Sequence, residues 1–177
     1  SILQSTSSTK DLVEAAIADN MPAVALTDSG NMMGAFHFTR AVNDYNKSQK
    51  QNYEAALKAY EEIDDGATDF EGEVPEEPVK PVDLKAIVGC EFFVCEDHSN
   101  KSHKDNGYQM VLLAKNKNGY HNLVKMASLA YTDGFYYLPR IDKKIVEKYK
   151  EDVIVLTGGL YGEIASKILN IGEKQAE

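Results

Sequence analysis

The chain of 177 residues contains no tryptophan, five prolines and two cysteines. No apolar run approaches the ~20 residues that a membrane-spanning helix needs, so no membrane association is expected. The opening segment SILQSTSSTK has no basic stretch followed by an apolar one and does not read as a secretory signal. It also lacks an initiator Met, which fits a fragment or a trimmed chain. Cys90 and Cys95 bracket one predicted strand with no second Cys or His pair beside them. Reduced structural thiols in a cytoplasmic protein are therefore expected, in preference to a disulfide or a metal cluster. Positive charge is scarce too. Nineteen Lys and Arg face twenty-eight Asp and Glu, a formal net charge of −9. No basic stripe or aromatic-rich basic patch stands out in the sequence, so strong binding of DNA by this chain alone is not expected.

The negative charge is unevenly placed. Residues 50–83 hold eleven carboxylates against Lys50, Lys58 and Lys80, which accounts for −8 of the total. The first half of this region, QNYEAALKAYEEIDD, places Tyr53, Leu57 and Tyr60 at helical spacing. The second half, DGATDFEGEVPEEPVKP, is rich in acid, Gly and Pro and reads as an extended or mobile loop.

Around this region strands alternate with helices. Ser8 with Asp11 three residues on forms a capping-box start, Leu12, Val13, Ala16 and Ile17 supply an apolar stripe, and Asn20 ends the helix. AVALTD after Pro22 reads as a buried strand. A second helix is predicted from about Met33 into the forties. AIVG with EFFV and YQMVLLAK are predicted strands. Helices follow over Asn118–Tyr131 and near Asp142–Tyr149, then the strand DVIVLTG and a helix over Tyr161–Leu169. This alternation predicts an α/β protein with parallel pairing.

Three segments carry more specific information: AVALTDSGNMMGAFHF (23–38), KAIVGCEFFV (85–94) and NLVKMASLAYTDGFYYLPR (122–140). Together they resemble the polymerase-and-histidinol-phosphatase (PHP) domain at the N-terminus of bacterial replicative DNA polymerase III alpha subunits. The resemblance spans residues 1–177 as a partial PHP domain, with 47–83 as an acidic insertion of roughly thirty residues. It implies a distorted seven-stranded (β/α) barrel, here truncated.

In that family a cluster of His, Asp, Glu and Cys holds several divalent ions, which neutralise phosphate and generate a hydroxide nucleophile. Imidazole and carboxylate suit zinc, manganese or iron in such a site. Carried over residue by residue, the match is poor. The HxHT segment would precede Ser1, and Gln4 stands at the Asp of SxLDG. TDHGN reads Thr27-Asp28-Ser29-Gly30-Asn31, so Ser29 replaces a histidine. Gln109 replaces the histidine that opens HLVLLA, Gly159 stands at the cysteine position, and the DxH pair would fall beyond Glu177. Glu91 of Gly89-Cys90-Glu91 is the one retained ligand candidate, with Asp28 beside the site. The letters around the site are kept while its donors are lost. None of the four histidines aligns with a ligand position; His98 and His103 fall in a polar loop.

Asp28 and Glu91 are expected at adjacent strand ends, where barrel folds place their chemistry. They read either as an acid–base pair or as a hydrogen-bonded remnant. Arg140 either pairs with those carboxylates or anchors a loop. TGGLYGEIA could cradle a phosphate at a helix start, but it lacks the lysine and spacing of a P-loop, and a tight turn suffices.

The resemblance implies a part of a DNA-directed DNA polymerase, itself metal-depleted and structural. It would support the polymerase core and offer a surface to the proofreading exonuclease subunit and other holoenzyme subunits. Magnesium would serve the polymerase site elsewhere in the parent, DNA would be met through the parent, and zinc or manganese would enter only if the PHP site were intact. The contrasting expectation is an active metal-dependent phosphoesterase or 3′–5′ exonuclease. The insertion reads as a surface elaboration or as a docking module.

Overall fold

A computed structural model describes residues 5–64 and 76–175. Helix α1 spans Thr9–Ala18 and begins with the expected capping box, Ser8 accepting from the Asp11 N–H and Asp11 accepting from the Ser8 N–H. Asn20 closes it at φ 52°, a left-handed turn that asparagine tolerates. Strand β1 (Ala23–Ser29) leads to α2 (Ala35–Asp64), then β2 (Lys85–Cys95), β3 (Tyr108–Ala114), α3 (Lys117–Thr132), β4 (Arg140–Asp142), α4 (Lys143–Lys148), β5 (Val153–Leu156) and α5 (Glu163–Ile171).

The strands form one five-stranded sheet in the order β1-β2-β3-β5. β4 also pairs with β2, through Phe93, Val94 and Cys95. Phe93 and Val94 meet β3 on one edge of β2, so β4 must take the other, in line with β1. β1 and β4 run parallel to β2, but β3 is antiparallel to both β2 and β5. The expectation of parallel pairing therefore fails at β3. Its physical cause is the connection: residues 96–107 contain no crossover helix, so the chain turns back beside the strand it left.

Helices α1 to α4 pack on one face of the sheet. Val24 joins Val13, Ala16, Phe38, Val42 and Leu84 in one apolar cluster. Cys90, Phe92, Val94 and Leu112 join Leu123, Met126, Ala130 and Ile141 in another. Even-numbered residues of β1 and β2 thus supply the core, as a period of two requires. Odd-numbered ones, among them Thr27, Ser29, Glu91 and Phe93, face the other side.

Helix α2 differs from its predicted form. It does not stop in the forties but runs for 30 residues into the insertion, about 45 Å at helical rise. No Gly or Pro interrupts Ala35–Asp64, so nothing breaks the two predicted helices apart. The returning chain is tied to it by Asn46, whose amide donates to the Leu84 carbonyl and accepts from the Leu84 N–H, each at 2.9 Å. Lys50 and Asp83 add an exposed ion pair at 3.3 Å. The middle of the acidic segment, 65–75, lies outside the described residues.

Candidate functional site

Backbone register brings the site together. Ser29 is the direct partner of Glu91 across β1 and β2, and Gln109 is the partner of Phe93 across β2 and β3. Glu91 and Phe93 share a face, so Ser29, Glu91 and Gln109 do as well. The turn that carries Gly159 lies at the same end of the sheet. The Gln109 N–H donates to the Tyr161 carbonyl at 2.9 Å, and Gly158, at φ +78°, packs against the Gln109 carbonyl. Gln4 lies outside the described residues.

At the centre, the Ser29 hydroxyl donates to Glu91 Oε1 at 2.7 Å. Gly30 follows at φ +70°, and its N–H donates to the Glu91 carbonyl at 2.7 Å. Asp28 is one residue away but on the opposite face. Its backbone partner is Cys90, and its carboxylate approaches Gly34 at the start of α2. Asp28 and Glu91 are therefore neighbours along the strand ends whose side chains diverge. Burial pushes the Cys90 thiol up to about 12, and both carboxylates reinforce the shift, so this cysteine stays neutral. A cleft of about 1150 Å³ wraps the outer edge of β1, lined by Ser8, Thr27, Asp28, Ser29 and His37 among others.

These residues do not fit a polynuclear metal centre. Glu91 contributes one carboxylate, and beside it stand only the Ser29 hydroxyl, the Gln109 amide and Gly159, which has no side-chain donor. The hydroxyl already occupies an oxygen of the one carboxylate. Amide and hydroxyl oxygens are poor ligands for zinc or manganese beside imidazole.

Arg140 is wholly buried and makes no ion pair with Asp28 or Glu91. Its Nε donates to the Gly134 carbonyl at 3.1 Å, Nη1 to Asp105 at 2.9 Å, and Nη2 to His98 and Asn100 at 3.3 and 3.1 Å. Of the two expected roles, loop anchoring is the one observed. Gly134 is required beside it, because a Cβ there would collide with the Arg140 carbonyl.

One cluster was missed by sequence reasoning. His98 is not in a freely solvated loop; its Nδ1 meets Asp142 Oδ2 at 2.7 Å. Asp97, His98 and Asp142 offer ligand-type atoms that all lie within 4.8 Å of one another, a grouping compact enough for a metal ion. The donors have other duties, however. Asp142 is buried and caps α4 by accepting from the Ile145 N–H at 3.0 Å. Burial would raise its pKa, but the His98 and Ile145 hydrogen bonds outweigh burial and hold it below the usual carboxylate value. Asp97 accepts from both the N–H and hydroxyl of Ser99. Only the helix cap was readable in sequence, as an Asp before KKIVEK. The cluster also lies apart from Glu91: Asp142 pairs with Cys95, four residues and about 13 Å further along β2.

No described helix is long and apolar enough to cross a membrane. The family model of the PHP domain matches residues 1–177. Among similar curated proteins, DNA polymerase III subunit alpha of Chlamydia muridarum is 33% identical over 177 residues, covering 98% of this chain and 11% of the relative. The protein of the same name from Treponema pallidum is 32% identical over 181 residues, covering 100% of this chain and 12% of its own length. That of Helicobacter pylori reaches 38% over 101 residues, 56% of this chain and 8% of the relative. The chain thus spans only 11% and 12% of the first two relatives.

Proposed function

The chain belongs to the PHP domain family, and from that premise we propose that it is the N-terminal PHP domain of a DNA polymerase III alpha subunit that has given up metal chemistry for a structural role. In this reading its five strands are part of a distorted seven-stranded barrel. The domain supports a polymerase core that extends DNA with magnesium at a site elsewhere in the parent. It also offers a surface to other holoenzyme subunits, the proofreading exonuclease among them, in the cytoplasm. The acidic insertion is a surface elaboration stitched to the domain by Asn46 and Leu84.

The observation that carries this reading is the Ser29–Glu91 hydrogen bond. It puts a hydroxyl donor, closed onto the remaining carboxylate, at a position where the family uses imidazole. A metal centre needs several strong donors converging on a shared point, and one carboxylate beside a hydroxyl and an amide offers too few of them.

The contrasting reading is a metal-dependent phosphoesterase or 3′–5′ exonuclease, and the Asp97–His98–Asp142 group is what favours it. That group offers one imidazole and two carboxylates, the donor types of zinc or manganese sites.

Elemental metal analysis of the full-length subunit, after dialysis against trace zinc and manganese, tests the proposal. The expected result is below about 0.1 ion per PHP domain, counting only metal whose retention depends on Glu91. Two or more ions that disappear with Glu91→Gln would overturn it, and hydrolysis of single-stranded or mismatched DNA would then be the assay. A single ion lost with His98→Ala but kept in Glu91→Gln assigns that ion to the second group and leaves the degenerate site intact.

A further inference from the structure

Residues 76–84 lead from the acidic insertion into β2 as an extended run that belongs to no helix and no strand. Pro75, Pro78 and Pro81 recur at every third position. Proline fixes its own φ and drives the residue before it into extended backbone, so Glu77-Pro78 and Lys80-Pro81 favour a polyproline II helix with three residues per turn. Burial follows the same period. Pro78 and Pro81 are half-buried and Leu84 is buried, whereas Val79 is 90% exposed and Val82 84%. A β-strand would alternate at every second residue instead. The Asn46 amide holds the end of the run at Leu84, and Lys50 pairs with Asp83. The result is a stiff strip that presents two Pro-Val pairs to solvent, with Glu76 and Glu77 exposed at its start.

An exposed aromatic surface lies at the other end of β2. Tyr137 is 64% exposed and Phe135 49%, and Tyr131 stacks on Phe135 with ring centres 6.2 Å apart. Lys104 Nζ sits 5.2 Å from the centre of the Tyr137 ring. Two acids of the loop that carries Lys104 are held by their own loop: Asp105 accepts from the Glu96 and Gly107 N–H groups, and Asp97 from Ser99. Buried Arg140 fixes the backbone on both sides of the surface, through the carbonyls of Gly134, His98, Asn100 and Asp105. Tyr137 adopts φ +63°, a left-handed conformation that is unfavourable for a bulky side chain. Its ring stays exposed, so packing within one chain does not offset the strain.

We propose that these two surfaces are the halves of one contact, and that the occupant of each is a second copy of this chain. Strips in polyproline II form dock on aromatic rings because their backbone is ordered before binding and little entropy is lost. Charge agrees, with Glu76 and Glu77 on the strip and Lys104 on the aromatic surface. One chain cannot make this contact with itself. The strip is pinned at Leu84, where β2 begins, and the aromatic residues precede Arg140, which pairs with Phe93 near the end of β2. The intervening strand keeps the two on the order of 30 Å apart. Two copies set antiparallel along β2 bring each strip to the other's rings at once, an isologous two-fold contact. Repetition doubles the buried area, toward the roughly 1,600 Å² of a stable interface. None of these residues belongs to the Glu91 site, so the inference goes beyond the metal-depleted reading and does not depend on it.

The test is sedimentation velocity of the full chain from about 1 to 200 μM, a range that brackets micromolar affinity. A concentration-dependent dimer is expected. Val79→Asp combined with Val82→Asp alters only exposed side chains, and Tyr137→Asn suits the left-handed backbone, so both variants keep the fold. Each should weaken the dimer at least about tenfold on its own. An equimolar mixture of the two should recover a dimer, since one copy keeps its rings and the other its strip. Tyr161→Ala, at a ring 73% exposed elsewhere, should leave the dimer unchanged. A monomer at every concentration would overturn the proposal, as would a mixture no more dimeric than its components. So would a dimer that survives both variants and is lost with Ile168→Asp, because the exposed side of α5 would then be the contact.

Discussion

Ser29 and Glu91 are 62 residues apart in sequence and 2.7 Å apart in space, hydroxyl to carboxylate, because parallel register makes them direct partners. That contact closes a hydroxyl onto the carboxylate at the centre of the site. In the proposed reading the site lacks donors and keeps its scaffold.

Restoring donors should therefore restore binding. Ser29→His combined with Gln109→His puts two imidazoles on the face of Glu91 without disturbing register. The double variant is expected to bind about one zinc ion per chain where the wild type holds less than a tenth. Isothermal titration with zinc measures this, and an unchanged isotherm would show that the frame itself has drifted.

Loss of the Arg140 clamp should be costly. Arg140→Met keeps much of the apolar stem but leaves the carbonyls of Gly134, His98, Asn100 and Asp105 without that donor. A loss of about 3 kcal/mol or more is expected in urea unfolding. Arg140→Lys should recover only part of it, since an ammonium cannot reproduce the planar fork. Amide exchange in 96–107 should quicken in both variants.

The His98–Asp142 contact gives an acid dependence with a definite sign. The folded-state pKa of Asp142 is held below its unfolded value by His98 and the Ile145 N–H. Its contribution is therefore present above about pH 4 and is lost as pH falls through the lower, folded-state value. Asp142→Asn keeps an α4 cap but removes the charge. It should lose about 1–2 kcal/mol near neutrality and show a flatter acid limb of stability against pH. Denaturation midpoints between pH 2 and 7 decide this, and parallel limbs for the two proteins would refute it.

Cys90 should be inert in the folded protein. Its pKa, raised to about 12 by burial, leaves almost no thiolate at pH 8. Alkylation detected by mass spectrometry should appear only on unfolding. The same shift predicts that stability declines above about pH 9, where the unfolded chain releases the thiol proton and the folded one retains it. Cys90→Ala should remove that alkaline decline while paying a cavity cost at neutral pH.

Much of this protein is legible in its sequence, because the signals are local. The Ser8–Asp11 capping box, the Leu123–Met126–Ala130 stripe and the AVALTDS strand each follow from short-range periodicity and hydrogen bonding. The absent donors at 29, 109 and 159 can likewise be seen in the letters that surround them. Long-range register decided the rest. It set Asp28 and Glu91 on opposite faces of neighbouring strand ends, and it turned β3 antiparallel. It also brought Asp142 to His98, 44 residues away, and pointed Arg140 at four backbone carbonyls that no side-chain pattern records. A residue's face and partner in a sheet depend on which strand lies beside it and in what alignment, and that is settled only when the whole chain packs.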